Sequence, residues 1–238
     1  MIILIICLAT VLTFISWMYI DKAILRYSLG FLSILFLAGS IGVLTNHFTN
    51  HTGMVSQMKT TTKPIYSAGS DSLPFGILIY KELGTKADSQ VLVFRDKPSD
   101  KEATAHYIPN KKQISEAIKK TATYQLADVD QAQALITTKR YVWKSPFYKF
   151  LFGIGGENGL LISQSVLVKI PKDTWLSLTP EEANRLKELA PKLQAANQAK
   201  FKADPNAAMQ MKLLQEKHPK QFIQLQIKTI KEALAEDK

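Results

Sequence analysis

Two long runs without a charge open the chain, and they restrict it more than any other feature. Residues 1–20 hold no charged side chain, and Asp21 and Lys22 end the run. A helix of that length spans roughly 30 Å, the thickness of a bilayer's hydrocarbon core. Residues 27–44 form a second run, which completes a span if the Arg26 side chain extends to the headgroups. The connection is short, so the two helices are expected to fold back as an antiparallel hairpin. Residues 1–44 contain three charged side chains, Asp21, Lys22 and Arg26, whereas the rest of the chain holds 47 of the 50. That division excludes a plain water-soluble globule and predicts a membrane anchor followed by an exposed domain.

The first run lacks the positive n-region of a cleaved signal peptide and is too apolar for too long, so it is read as retained. Trp17, Tyr19 and Tyr27 cluster at the turn with Lys22 and Arg26, a composition suited to the membrane interface. Ala9 and Thr13 on one helix, and Ala38 and Gly42 on the other, sit at i, i+4. That stripe suits close packing within the hairpin or against another membrane subunit. Lys22 and Arg26 are the basic residues of the only short loop, which places the turn in the cytoplasm and both termini outside. The expected localisation is the cell membrane, two-pass, with the domain extracytoplasmic.

Cys7, inside the first run, is the single cysteine. The exposed part therefore has no disulfide, thiolate metal site or cysteine nucleophile. A net charge of +10 is spread thinly, without a basic cluster interleaved with stacking aromatics. Nucleic acid is excluded as a partner on that ground. The expected partners are the lipid bilayer and, beyond it, another membrane protein or an anionic wall polymer.

Residues 45–74 read as a linker. Short strand-like runs follow at residues 75–80, 90–95, 104–108, 121–127, 134–143 and 160–170, separated by turn signals such as Glu157-Asn158-Gly159. Residues 111–120 are ambiguous, with Ile114, Ala117 and Ile118 suiting a short helix. The pattern changes at Thr179-Pro-Glu-Glu182, an N-cap with proline at the first helical position. Pro191 predicts a kink at Ala190, Asp204-Pro205 caps a second helix, and Pro219 opens a third with Phe222, Leu225, Ile230 and Leu234 on one face. The fold class is α+β: a transmembrane helical hairpin (1–44), a linker (45–74), a small antiparallel β-rich domain, sandwich- or barrel-like (75–178), and a tail of amphipathic helices (179–238).

The hairpin continues into Ile65-Tyr-Ser-Ala-Gly-Ser70, Val93-Phe-Arg-Asp96, Ala105-His-Tyr-Ile-Pro109 and Ile118-Lys-Lys-Thr-Ala-Thr-Tyr124. Gly156-Glu-Asn-Gly159 and Thr174-Trp-Leu-Ser-Leu-Thr-Pro180 follow. This combination resembles a family of small two-pass membrane proteins of lactic-acid bacteria, a domain of unknown function numbered 4811. The resemblance covers nearly the whole chain. It implies an integral protein of a Gram-positive cell membrane, and it carries over no catalytic residue.

His47 and His51 are candidate metal ligands, four apart and on one face if the helix continues. A metal centre needs two further ligands that no neighbouring residue supplies, so no metal or other cofactor is expected. Gly153-Ile-Gly-Gly156 has no following Lys-Ser/Thr and leads into a strand, so it reads as a hairpin connection rather than a phosphate loop. Ser70-Asp71-Ser72 lacks a neighbouring histidine and the nucleophile elbow. The segment 141–152 is densely aromatic, with Trp143, Phe147, Tyr148, Phe150 and Phe152. It is expected as a core plug over the sheet; the alternative seats Trp143, Phe147, Phe150 and Phe152 in the outer leaflet.

These features predict a non-enzymatic binding or structural protein of the cell envelope. The alternative is an accessory subunit of a membrane complex. Its topology resembles subunit II of haem-copper oxidases, and the absence of domain cysteines restricts that resemblance to the copper-free type.

Overall fold

The computed structural model describes residues 1–84, 89–110 and 112–236. In chain order its helices and strands begin with α1 (Ile2–Met18), α2 (Ala23–Asn50), β1 (Met54–Pro64), β2 (Gly76–Glu82), β3 (Gln90–Phe94), β4 (Thr104–His106) and α3 (Ile114–Ala117). They continue with β5 (Lys120–Ala127), β6 (Gln133–Trp143), α4 (Pro146–Phe152), β7 (Leu161–Pro171), β8 (Trp175–Leu178), α5 (Pro180–Ala203), α6 (Pro205–Lys217) and α7 (Pro219–Glu236). The chain divides into two compact units. The first is Met1–Lys59 with Lys139–Ile162, and the second is Thr60–Thr138 with Ser163–Lys238.

In the first unit, α1 and α2 pack back on each other along a narrow seam. Its buried positions are Ile2, Ala9 and Ser16 on α1 and Gly30, Ser40 and His47 on α2. Half-buried Ser33, Leu37 and Leu44 fill the intervening positions of α2, so the seam recurs at threes and fours, as in a coiled coil. The Trp17 ring closes over Gly30, where an added Cβ would lie 2.6 Å from Nε1. Ala9 and Thr13 face the seam as expected. Ala38 and Gly42 do not: both are exposed, and nothing lies within 4 Å of a Cβ placed on Gly42. The contact at Gly30 phases the seam onto Leu37 and Leu44 instead. Each hydroxyl of Thr10, Thr13, Ser16, Ser28, Ser33 and Ser40 donates to a carbonyl of its own helix. Of the described helices, α2 is the one long and apolar enough to cross a membrane, whereas α1 is a shorter apolar helix of 17 residues.

Two four-stranded sheets follow, ordered β1-β6-β7-β5 and β4-β3-β2-β8. They are mixed rather than antiparallel. β2 runs antiparallel to β3, with Ile79 opposite Val93, but parallel to β8, with Ile77 beside Leu176. β5 and β7 are also parallel. Parallel pairing needs a long crossover, and the chain between β2 and β8 supplies one.

In the second unit the sheets face each other across a core of Leu78, Leu92 and Phe94 from one and Ala122, Val166, Val168 and Ile170 from the other. The opposite face of β2 and β8 presents Ile77, Leu176 and Leu178 to Ile227 and Leu234 of α7 and to half-buried Leu186 of α5. Sheet β4-β3-β2-β8 is thus covered on both faces, which explains why Phe75-Gly-Ile-Leu-Ile-Tyr80 is nearly continuous in apolar residues.

The region read as a linker, 45–74, carries the end of α2 and all of β1. β1 is exposed along nearly its whole length and lies at a sheet edge, so it has no alternating apolar face. Part of the ambiguous stretch 111–120 forms α3; Lys111 lies outside the described residues. The helical starts fall where their caps are. Thr179 and Glu182 exchange side-chain-to-backbone hydrogen bonds of 2.9 and 3.2 Å, and the Asp204 carboxylate accepts from the amides of Asn206 and Ala207. α5 runs through Pro191 as one helix.

Candidate functional site

Two arrangements stand out, one in each unit. In the first, His47 is fully buried in the last turn of α2. Its ring stacks on Phe152 with centroids 4.0 Å apart, and Trp143 lies nearly parallel at 5.6 Å. Nδ1 is 2.7 Å from the Thr52 carbonyl, which can only accept, so Nδ1 carries a proton. Nε2 is 2.7 Å from Oε2 of buried Glu157. Among the described residues, neither atom has a hydrogen-bond partner.

α2 stops at Asn50, and His51 turns into the left-handed region at φ 49°. The two histidines consequently part. His51 lies on Tyr141, with ring centroids 4.1 Å apart, while His47 faces Glu157. Among the described residues no group of three or more His, Cys, Asp or Glu side chains could hold a metal ion. Glu157 was legible in the sequence only as part of a turn; its pairing with a residue 110 positions earlier carried no local signal.

The aromatic segment divides. Phe152 is buried and Trp143 half-buried against His47 at the end of α2, rather than over the core between the sheets. Phe147 and Phe150 are not part of that core: they are 64% and 62% exposed. A seven-residue helix has room for one buried face, and Phe152 and half-buried Tyr148 occupy it. The Met1 amine donates to the carbonyls of Phe150 and Leu151, completing the carboxyl end of α4. At the hairpin turn, Trp17 and Tyr27 meet edge to face at 6.0 Å and the Arg26 guanidinium sits 5.4 Å over the Tyr27 ring; Trp17, Tyr19, Lys22 and Tyr27 are all exposed.

In the second unit, a cavity of about 1020 Å³ opens between sheet β4-β3-β2-β8 and helices α5–α7. That is the upper end of the ~300–1,000 Å³ usual for small-molecule sites. Ile77 and Ile79 form part of its floor, and Leu193, Phe201, Met211 and Phe222 its helical walls. Lys187 and Lys212 are the charged residues on its lining, and neutral amides such as Gln194 and Gln226 complete the polar part.

Ser70-Asp71-Ser72 lies beside this cavity but is occupied structurally. The Arg95 guanidinium forms a double contact with the Asp71 carboxylate, and Arg95 Nε donates to the Ser67 carbonyl at 2.7 Å. Hydrogen bonding to Arg95 holds the Asp71 carboxyl below the ordinary carboxylate range. Ser70 and Ser72 hydroxyls bond each other at 2.9 Å. Gly153-Ile-Gly-Gly156 forms a 3-10 turn on the connection between neighbouring strands β6 and β7, as the sequence suggested.

A family described as Domain of unknown function (DUF4811) matches residues 22–186, from the start of α2 into the second turn of α5. Comparison with curated proteins and with solved structures found no match.

Proposed function

We propose that this chain, which belongs to the DUF4811 family of unknown function, is a membrane-anchored envelope protein whose β-rich and helical part works outside the membrane as a binding module. The observation that carries the anchor is the inverted polarity of the α1–α2 pair. Its seam is small and hydroxylated, while Leu4, Leu8, Phe14, Phe31, Leu32 and Leu35 point away from it and are exposed. Water would penalise such a surface, whereas lipid accepts it, and the satisfied hydroxyls remove the cost of polar groups in hydrocarbon. α4 supports the same reading. Phe152 packs on His47 at the end of α2, so exposed Phe147 and Phe150 sit where a lipid headgroup layer would meet the helix end.

The packing of the shorter α1 back along α2 supports a two-pass reading, and Lys22 and Arg26 in the turn support the outward orientation. A binding role, rather than catalysis, rests on the apolar cavity and on the structural use of Ser70, Asp71, His47 and Glu157. Alkaline carbonate washing of membranes tests the anchor. The chain should stay in the pellet; its release into the wash would contradict an integral anchor.

A further inference from the structure

From the cavity's chemistry we infer that the second unit binds a single-chain anionic amphiphile, a long acyl chain carrying a carboxylate head. This rests on the binding-module reading and gives it a ligand class. The walls formed by Leu193, Phe201, Met211 and Phe222 offer no charge and suit an extended hydrocarbon chain. Leu225 is 41% exposed on α7 yet lines the same cavity, as an apolar side chain awaiting a covering ligand would. Among the described residues, Lys187 on α5 and Lys212 on α6 supply the only charges on the lining, both positive, and no carboxylate lines it to repel an anionic head. A cationic amphiphile would find no counter-charge, and a fully polar ligand would leave the apolar walls unmatched. A chain tethered to a bilayer also meets acyl compounds at high local concentration.

The test uses the full chain in phosphatidylcholine nanodiscs with a diazirine-bearing palmitate, photolysed and mapped by mass spectrometry. Cross-links should fall on cavity-lining peptides of α5–α7, and the uncharged methyl ester of the same probe should label them about fivefold less. Ala190→Trp, which fills the cavity from α5, should lower labelling by the acid about tenfold or more. Lys187→Gln with Lys212→Gln should erase the difference between acid and ester. Equal labelling of the cavity by acid and ester in the unaltered chain would overturn the anionic head. Absence of cavity cross-links, or labelling unchanged by Ala190→Trp, would overturn the site. Cross-links on α1 and α2 report the anchor separately, so loss of those alone counts against membrane insertion and not against the cavity.

Discussion

His47 and Glu157 show how much one buried pair can decide. Each is removed from water and each depends on the other, so removing one leaves a polar group without a partner. His47→Leu should destabilise the chain by about 1–3 kcal/mol, because it leaves the buried Glu157 carboxyl against an apolar side chain. Glu157→Gln should cost about 1–3 kcal/mol. The double variant His47→Leu, Glu157→Leu should be less destabilised than the sum of the two single leucine changes. Thermal unfolding in detergent checks this, and strict additivity would show the two residues to be independent. Asp71 predicts a pH effect. Its carboxyl is held low by Arg95, so the pair's contribution is present at neutral pH and is lost as pH falls through the depressed folded value. Melting temperature followed from neutral into acid should fall for the natural chain, and Asp71→Asn should remove that part of the fall. Neither partnership was visible in the sequence, because each joins residues far apart in the chain whose local patterns indicate only a turn or a helix end. The segments Ile65–Ser70 and Val93–Asp96, by contrast, were singled out as motifs, and Tyr66 and Arg95 meet in a backbone bridge.

At the scale of elements, glycines set close approaches, Gly30 and Gly76 among them. Gly30 admits the Trp17 ring into the α1–α2 seam, and Gly76 of β2 lies directly under the Trp175 indole of β8. Gly30→Leu should open the hairpin, and Gly76→Val should displace Trp175, each destabilising by about 1–3 kcal/mol through overpacking. Near-ultraviolet circular dichroism of the tryptophans, with melting temperature, measures both; unchanged spectra and stability would refute the contacts. For α4 the prediction concerns environment. A nitroxide at Phe150→Cys in a Cys7→Ser background should be more accessible to oxygen than to a water-soluble nickel chelate when the chain is in bilayers. The reverse ratio would place Phe150 in water. The helices were legible because caps and proline are local: Thr179, Asp204 and Pro219 mark their starts. β1 was missed because an exposed edge strand has no buried face to impose alternation. Parallel pairing of β8 with β2 was missed because strand direction is set by the crossover between them and leaves no mark on four residues.

The chain carries an apolar hairpin, two mixed sheets and three amphipathic helices, of which α5 and α7 pack on sheet β4-β3-β2-β8 and all three line an open cavity. The charge split along the chain indicated where the apolar helical hairpin ends and the β-rich and helical part begins. The cavity was not legible, because amphipathic helices that pack fully and those that leave a space have the same periodicity. The central claim is that the hairpin turn faces the cytoplasm while everything after α2 lies outside. Single cysteines in a Cys7→Ser background test it most directly, with a membrane-impermeant maleimide applied to intact protoplasts. Lys101→Cys should react at once, and Asp21→Cys should react only after the membrane is permeabilised. Protection of Lys101→Cys with immediate labelling of Asp21→Cys would contradict the account.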